Sequence, residues 1–318
     1  MAQVLVSQAF DFRAAQDWTW MVRETNFTRI SVATATLKQT FLGDFPLVAG
    51  SSLNGTIASS SFAIRDAEVY RITGLDHDAK ILANYVERKG DLRDLYSIFL
   101  AGDDVITGSA GNDGLMGFAG HDRIRGGGGD DWISGGSGSD FAVYAGNRAS
   151  YTIGRGPDGV SVLDNVGAEG RDTLVEVERA IFADTYVALD VGAGEIGGRA
   201  YRLYEAAFNR TPDALGVGFW IARLDEGVSV TAVAQGFIDS QEYRNAYGTN
   251  LSNLELVTRY YANILDRAPE EAGLKFWLDK LDSGVSRADV LAGISESVEN
   301  INGSAAIIAN GFSYQPYG

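Results

Sequence analysis

Residues 99–143 read, in blocks of nine, FLAGDDVIT, GSAGNDGLM, GFAGHDRIR, GGGGDDWIS and GGSGSDFAV. Aspartate recurs at Asp104, Asp113, Asp122, Asp131 and Asp140, each two residues after a glycine: Gly102, Gly111, Gly120, Gly129 and Gly138. A large apolar residue follows two positions later at Ile106, Leu115, Ile124 and Ile133, and Ala142 breaks that series, which predicts that the repeat ends there. A fixed short period is the signature of a stacked repeat. A glycine-rich linker has no reason to hold a nine-residue phase. Each block supplies a short strand with one inward apolar side chain, then a sharp turn that glycine permits. Two blocks complete one coil, so equivalent turns lie eighteen residues apart. Asp104, Asp122 and Asp140 then stack on one edge, and Asp113 and Asp131 on the other. Carboxylates held so close repel strongly. A hard divalent cation between them removes the repulsion and takes the carbonyls that the turns expose. Calcium suits this best, because it accepts six to eight oxygens in irregular geometry.

The segment resembles the RTX (repeats-in-toxin, hemolysin-type) β-roll, whose nonapeptide is G-G-x-G-x-D-x-U-x. The resemblance implies that each ion lies between one turn and the next turn on the same edge. The first turn gives the carbonyls of its second and fourth residues with its aspartate, and the following turn gives its first and third with its own. Three sites follow from it. The first joins Ser109, Gly111 and Asp113 to Gly126, Gly128 and Asp131. The second joins Phe118, Gly120 and Asp122 to Gly135, Ser137 and Asp140. The third joins Leu100, Gly102 and Asp104 to Gly117, Ala119 and Asp122, with Phe99 and Leu100 standing where the leading glycines would be. About three calcium ions are expected, and no catalytic or organic cofactor residues.

Around this segment the chain changes character. Residues 1–98 carry short alternating runs such as TRISVATATLKQTF, read as a β-rich domain, with LRDLYSIFL at 92–100 as a short amphipathic helix. Residues 144–191 read as strands that cap the roll; SYTIGR and VSVLD flank Gly156-Pro157-Asp158-Gly159, a hairpin turn. The motif Gly192-Ala193-Gly194-Glu195-Ile196-Gly197 imitates a dinucleotide fingerprint, but helices follow it where a second parallel strand is needed, so 192–198 reads as a flexible joint. From residue 199 to 318 the period is helical, with Tyr201, Tyr204, Ala207 and Phe208 on one stripe. Here RTPDALGVGFWIARLDEGVS returns as RAPEEAGLKFWLDKLDSGVS after a shift of 57 residues. This pair resembles an uncharacterised helical repeat domain found at the C-terminal ends of bacterial RTX and surface-layer-type proteins, on the pattern R-x-P-[DE]-x-x-G-x-x-[FY]-W. The fold class is therefore multidomain β + α: a β-rich start, a short parallel β-roll, a hairpin cap and an all-α end of two tandem repeats.

Lys and Arg number 26 against 42 Asp and Glu, a net charge of −16, which disfavours nucleic acid and anionic membranes as partners. Cysteine is absent, which excludes disulfides, thiolate metal sites and cysteine nucleophiles. No basic stretch precedes an apolar core at the N-terminus, so no cleaved signal is expected. The longest uncharged stretch, 45–64, is rich in Ser, Gly and Thr and reads as strand and turn, not as a membrane span. His77, in LDHDAK, reads as a turn residue, and His121 as a solvent-facing neighbour of Asp122. Neither H-E-x-x-H nor G-x-S-x-G occurs, and no enzyme is expected. Trp220 and Trp277 read as core, with a sugar platform as their alternative. Asp213 and Glu270 read as helix-start acids, and Ser286 with Asp289 as a capping box.

The RTX resemblance implies type I secretion, with calcium driving folding outside the cell by linkage. The expected protein is a calcium-dependent surface-layer, filament or adhesin component at the surface of a Gram-negative bacterium. Its partner would be another copy, a surface protein or a polysaccharide. A carbohydrate-binding module is the alternative, and a secreted hydrolase with its site in the N-terminal β region is a third.

Overall fold

A computed structural model describes residues 1–11, 13, 21–25, 28–45, 55–82, 92–248 and 250–317. Residues 46–54 of the uncharged stretch lie outside the described residues, and its remainder is mostly strand. No helix among the described residues is long and apolar enough to cross a membrane. The chain forms two compact units, Met1–Asp184 and Thr185–Gly318.

The first unit begins with β1 (Gln3–Val6), β2 (Met21–Thr25), β3 (Arg29–Ala33), β4 (Leu37–Asp44), β5 (Thr56–Ile64) and β6 (Ala67–Asp78). Strands β2 to β6 form an antiparallel meander. Ile30, Val32, Phe41, Ile57 and Ile72 are buried there. The buried Gln39 amide donates to Ser60 Oγ at 2.6 Å and its oxygen accepts from Tyr70 Oη at 3.1 Å, so this polar group costs little. Helix α1 (Leu92–Phe99) turns Leu95, Tyr96 and Phe99 inward, the amphipathic face read from sequence. His77 departs from expectation: it lies in strand β6 opposite Ile57, with its ring 5.5 Å from that of Phe99. Strand β6 runs on to Asp78, so the turn comes two residues after His77, at Ala79.

Five three-residue strands follow: β7 (Val105–Thr107), β8 (Gly114–Met116), β9 (Arg123–Arg125), β10 (Trp132–Ser134) and β11 (Phe141–Val143). They wind alternately into two parallel ladders, β7-β9-β11 and β8-β10. The roll does not end at Ala142. After the antiparallel hairpin β12 (Tyr151–Gly156) and β13 (Gly159–Asp164), strand β14 (Arg171–Val175) stacks parallel on β10, and β15 (Arg179–Ile181) parallel on β11. Ala142 is fully buried opposite Ala180, and a small residue there tapers the column without stopping it. Nor does the roll begin at residue 99, because β1 stacks parallel on β7 while pairing antiparallel with β6. The result is two buried columns, Val4-Ile106-Ile124-Ala142-Ala180 and Leu115-Ile133-Leu174. Each large aliphatic side chain in them contributes about 1.5–3 kcal/mol by burial.

The second unit holds β16 (Tyr186–Ala188) and β17 (Phe312–Tyr314), paired antiparallel, and between them the helices α2 (Ile196–Phe208), α3 (Ala214–Asp225), α4 (Val230–Ile238), α5 (Gln241–Tyr247), α6 (Asn253–Ile264), α7 (Glu271–Asp282), α8 (Arg287–Ser295) and α9 (Val298–Ala305). The 57-residue shift is visible in three dimensions. Arg210 lies over the Tyr204 ring and pairs with Glu242; Arg267 lies over Tyr261 and pairs with Glu299. Asn209 and Asp266 both take φ of 51°, where a short polar side chain tolerates the left-handed region. Trp220 and Trp277 are half-buried against the helical core, each over a glycine, Gly236 and Gly293, where a Cβ would stand 2.5 and 2.6 Å from the indole. Asp213 accepts from Gly216 N at 2.7 Å as the cap of α3, whereas Glu270 makes no cap hydrogen bond and instead pairs with Arg267. Ser286 and Asp289 form the expected capping box. The glycine motif at 192–197 is well tethered. Glu195 accepts from Gly192 N, Asp190 accepts from Gly197 N at 2.9 Å, and the buried Arg202 donates to the Val191 and Gly192 carbonyls while pairing with Glu296 at 2.8 Å.

Candidate calcium site

The five repeat aspartates are buried side chains, none more than 3% exposed. One carboxylate oxygen of each serves the backbone. Asp122 Oδ1 accepts from Asp104 N, Asp131 Oδ1 from Asp113 N, and Asp140 Oδ1 from Asp122 N, all at 2.8 Å. The stacking of Asp104, Asp122 and Asp140, and of Asp113 and Asp131, is therefore as the nine-residue phase requires. The N-terminal segment starts both ladders: Ala2 N donates to Asp104 Oδ1 and Phe10 N to Asp113 Oδ1 at 2.6 Å.

The second oxygen is the informative one. Oδ2 of Asp104, Asp122, Asp131 and Asp140 is buried with no hydrogen-bond partner. Asp113 differs, since its Oδ2 accepts from Ser109 N at 2.7 Å and from Ser109 Oγ at 2.9 Å. A buried carboxylate without a partner is costly, and it either takes a proton or holds a cation. Burial first, then the charges of Asp140 and Asp104, together push Asp122 up to about 8 against the Asp104 backbone hydrogen bond. Burial likewise raises Asp131 to about 6, and it raises Asp104 and Asp140.

The glycines that lead each turn keep this space open. A Cβ on Gly117 would stand 2.2 Å from Asp122 Oδ2 and 2.5 Å from the Gly135 carbonyl oxygen; on Gly126 it would stand 2.1 Å from Asp131 Oδ2. Carbonyl and carboxylate oxygens thus converge where only hydrogen fits. That donor set is hard oxygen throughout, as calcium prefers. Among the described residues no three His, Asp or Glu side chains form a metal-binding group, because each pocket offers paired carboxylates and backbone carbonyls instead. Turn-to-turn hydrogen bonds hold the carbonyls in register: the Ser109 and Phe118 carbonyls accept from Gly128 N and Ser137 N, both at 3.0 Å, and Leu100 from Ala119 N at 3.4 Å. Gly120 N donates to the Ser137 carbonyl at 2.9 Å.

A second, outer ladder was not anticipated. The residue before each of the first four aspartates accepts from the backbone one coil on: Asp103 from His121 N, Asn112 from Asp130 N, His121 Nδ1 from Ser139 N and Asp130 from Arg171 N, at 2.8 to 3.0 Å. His121 is exposed, as read, but it also fixes the turn below it.

Sequence reading also missed a sixth nonapeptide. Gly167-Ala168-Glu169-Gly170-Arg171-Asp172-Thr173-Leu174-Val175 has glycines, aspartate and leucine at the repeat positions. Its Asp172 is buried and accepts from Asp131 N at 3.1 Å. Burial, with the charge of Asp131, raises Asp172 to about 7 against the hydrogen bond it accepts from Asp131 N. The β12–β13 hairpin inserts ahead of this block and destroys the nine-residue phase; a search for the pattern without the phase would find it.

Residues 100–117 and 116–142 match the RTX calcium-binding nonapeptide repeat, a family unit of four copies, and residues 200–246 and 234–303 match a domain of unknown function, DUF4214. No curated protein matches the chain. Among solved structures, the extracellular lipase LipA from Serratia marcescens is similar over 29% of this chain and 16% of its own, at 22% identity and a TM-score of 0.25. The chain thus spans under a fifth of that structure. The first unit carries RTX calcium-binding repeats wound as a β-roll, the second a DUF4214 region, and the RTX repeats mark a secreted, calcium-binding protein.

Proposed function

We propose that this is a non-enzymatic structural component of a Gram-negative cell surface or extracellular matrix, in a surface-layer-like lattice, filament or adhesive layer. It leaves the cell unfolded through a type I secretion machine and folds on meeting calcium. Three ions sit in the sites joining Asp113 to Asp131, Asp122 to Asp140 and Asp104 to Asp122, with the turn carbonyls named for each. The repeats of 99–143, with β1, β14 and β15 stacked on them, act as the roll, the β12–β13 hairpin as its cap, the rest of residues 1–98 as a β domain and residues 199–318 as the docking module. The helical pair docks on another copy or on a surface protein or polysaccharide.

The observation that carries this reading is the set of four buried Oδ2 atoms with no partner, in register with the repeat. At the low calcium of a cytosol these carboxylates oppose closure of the roll. At extracellular calcium, binding to the folded form alone stabilises it by about 4 kcal/mol for each site held at a thousandfold its dissociation constant. Titrating calcium into chelated protein should increase β structure by circular dichroism and raise the melting temperature. An unchanged spectrum and melt across the titration would count against the switch.

A further inference from the structure

Of the four partnerless oxygens, the one on Asp140 belongs to the last nonapeptide of its ladder, whereas Asp131 is followed on its own by the sixth. The Asp140 end is closed by something other than a repeat. After Val175 the chain runs Glu176-Val177-Glu178-Arg179, and Arg179 pairs with Phe141 as each repeat strand pairs with the next. Glu178 therefore stands in the aspartate position, at the end of a turn three residues shorter than a full block. It does the aspartate's work: Asp140 N donates to Glu178 Oε2 at 2.9 Å, as Asp122 N donates to Asp140 Oδ1. The longer glutamate side chain makes up for the shortened turn.

The carbonyl is replaced as well. A Cβ on Gly135 would stand 2.4 Å from Asp140 Oδ2 and 2.2 Å from the Glu176 carbonyl oxygen. One coil earlier, the same point on Gly117 meets Asp122 Oδ2 and the Gly135 carbonyl at 2.2 and 2.5 Å. The Glu176 oxygen also accepts from Gly136 N at 3.2 Å, which uses one of its two lone pairs. Glu176 holds φ at 51°, a left-handed conformation uncommon outside glycine, where the backbone makes this abbreviated turn. Asp140 itself is fully buried, its Oδ1 is spent on Asp122 N, and its Oδ2 has no hydrogen bond.

We propose that the Asp140 carboxylate, the Glu178 carboxylate and the Glu176 carbonyl form a further calcium site that closes the end of the roll, made by the cap and outside the nonapeptide series. It rests on the calcium reading above, and it makes the non-repeat segment 176–178 part of the metal-dependent fold.

The test is an ion count on the full chain, by native mass spectrometry and equilibrium dialysis against calcium, for the natural protein and for Glu178→Gln. Glutamine keeps the size and the acceptor for Asp140 N but removes the charge. The variant should bind one ion fewer, or bind one ion at least tenfold more weakly, with the other sites unchanged. Equal counts and superimposable isotherms would overturn the site while leaving the repeat sites standing. Failure of the natural protein to bind any calcium would instead sink the calcium reading itself. Should the variant not fold, crystals of the natural protein grown with calcium decide the matter. Anomalous density between Gly135 and Glu176 supports the site; peaks in the repeat turns with none there refute it.

Discussion

The two units repeat by different physics. The roll repeats every eighteen residues and is held by backbone ladders around a column one side chain wide. Its turns bring buried carboxylates together and leave four of their oxygens without a hydrogen-bond donor. The helical unit repeats every 57 residues and encloses a broad apolar core that includes Leu203, Val217, Phe237, Tyr260 and Leu291. Its acids sit at helix starts or beside arginines, as with Asp213, Glu242, Asp289 and Glu299. One unit has its charges arranged for a ligand; in the other these four already have partners. Calcium should therefore matter to the first far more than to the second.

The sharpest way to break this contrast is to remove one aspartate at a time. Asp122 belongs to two of the proposed sites and Asp131 to one. Asp122→Ala should lose two bound ions and Asp131→Ala one, with a correspondingly deeper loss of amide-exchange protection across residues 100–181. Protection of residues 200–303 should not change in either. Equal ion losses would contradict the stacking, and lost protection in the helices would contradict the division of labour.

The next effect is one of sign. In the calcium-free roll, Asp122 is raised to about 8 and Asp131 to about 6, chiefly by burial. The folded form keeps protons that the unfolded chain releases near the ordinary value of about 4. Stability from these groups is full below that pH and is lost as pH rises through 6 and 8. With calcium the dependence reverses, because the ion needs the deprotonated carboxylates. In the helical unit Asp213 is lowered by the Tyr204 hydroxyl and Asp289 by Ser286. Their contribution is present above pH about 4 and lost on acidification. Exchange protection in chelator, corrected for intrinsic rates, should thus fall in the roll and hold in the helices between pH 5 and 8. A parallel change in both would show that the buried carboxylates are not what separates the units.

How much of this was legible in the sequence follows the same divide. Register in the roll was readable because one aspartate and one apolar residue per nine fix both the face and the edge of every strand. The helical pair was readable because Trp220, Gly216 and Arg210 each have a partner 57 residues on. What escaped were contacts made by segments out of phase. Residues 2–6 stack on β7 with no repeat pattern of their own, since a backbone ladder needs only a free edge and an apolar Val4. Asp172 was hidden by the hairpin inserted before it, and Glu178 by a shortened turn that put the acid in the wrong phase and of the wrong type. Backbone hydrogen bonding, being indifferent to side chains, extends a fold further than side-chain periodicity can report.

The smallest test lies in a single cap. Ser229 Oγ accepts from Ala232 N at 3.2 Å and begins α4. Ser229→Ala leaves one helix-start donor to water and should cost about 1 kcal/mol. Because α4 packs Val233, Ala234 and Phe237 into the helical core, that cost should fall wholly on the helical transition in urea, followed by circular dichroism. It should be the same in calcium and in chelator, since no proposed ligand touches this helix. A cost that appeared only with calcium present would mean that the helical core draws on the ions for its own stability, and the contrast between the two repeats would have to be given up.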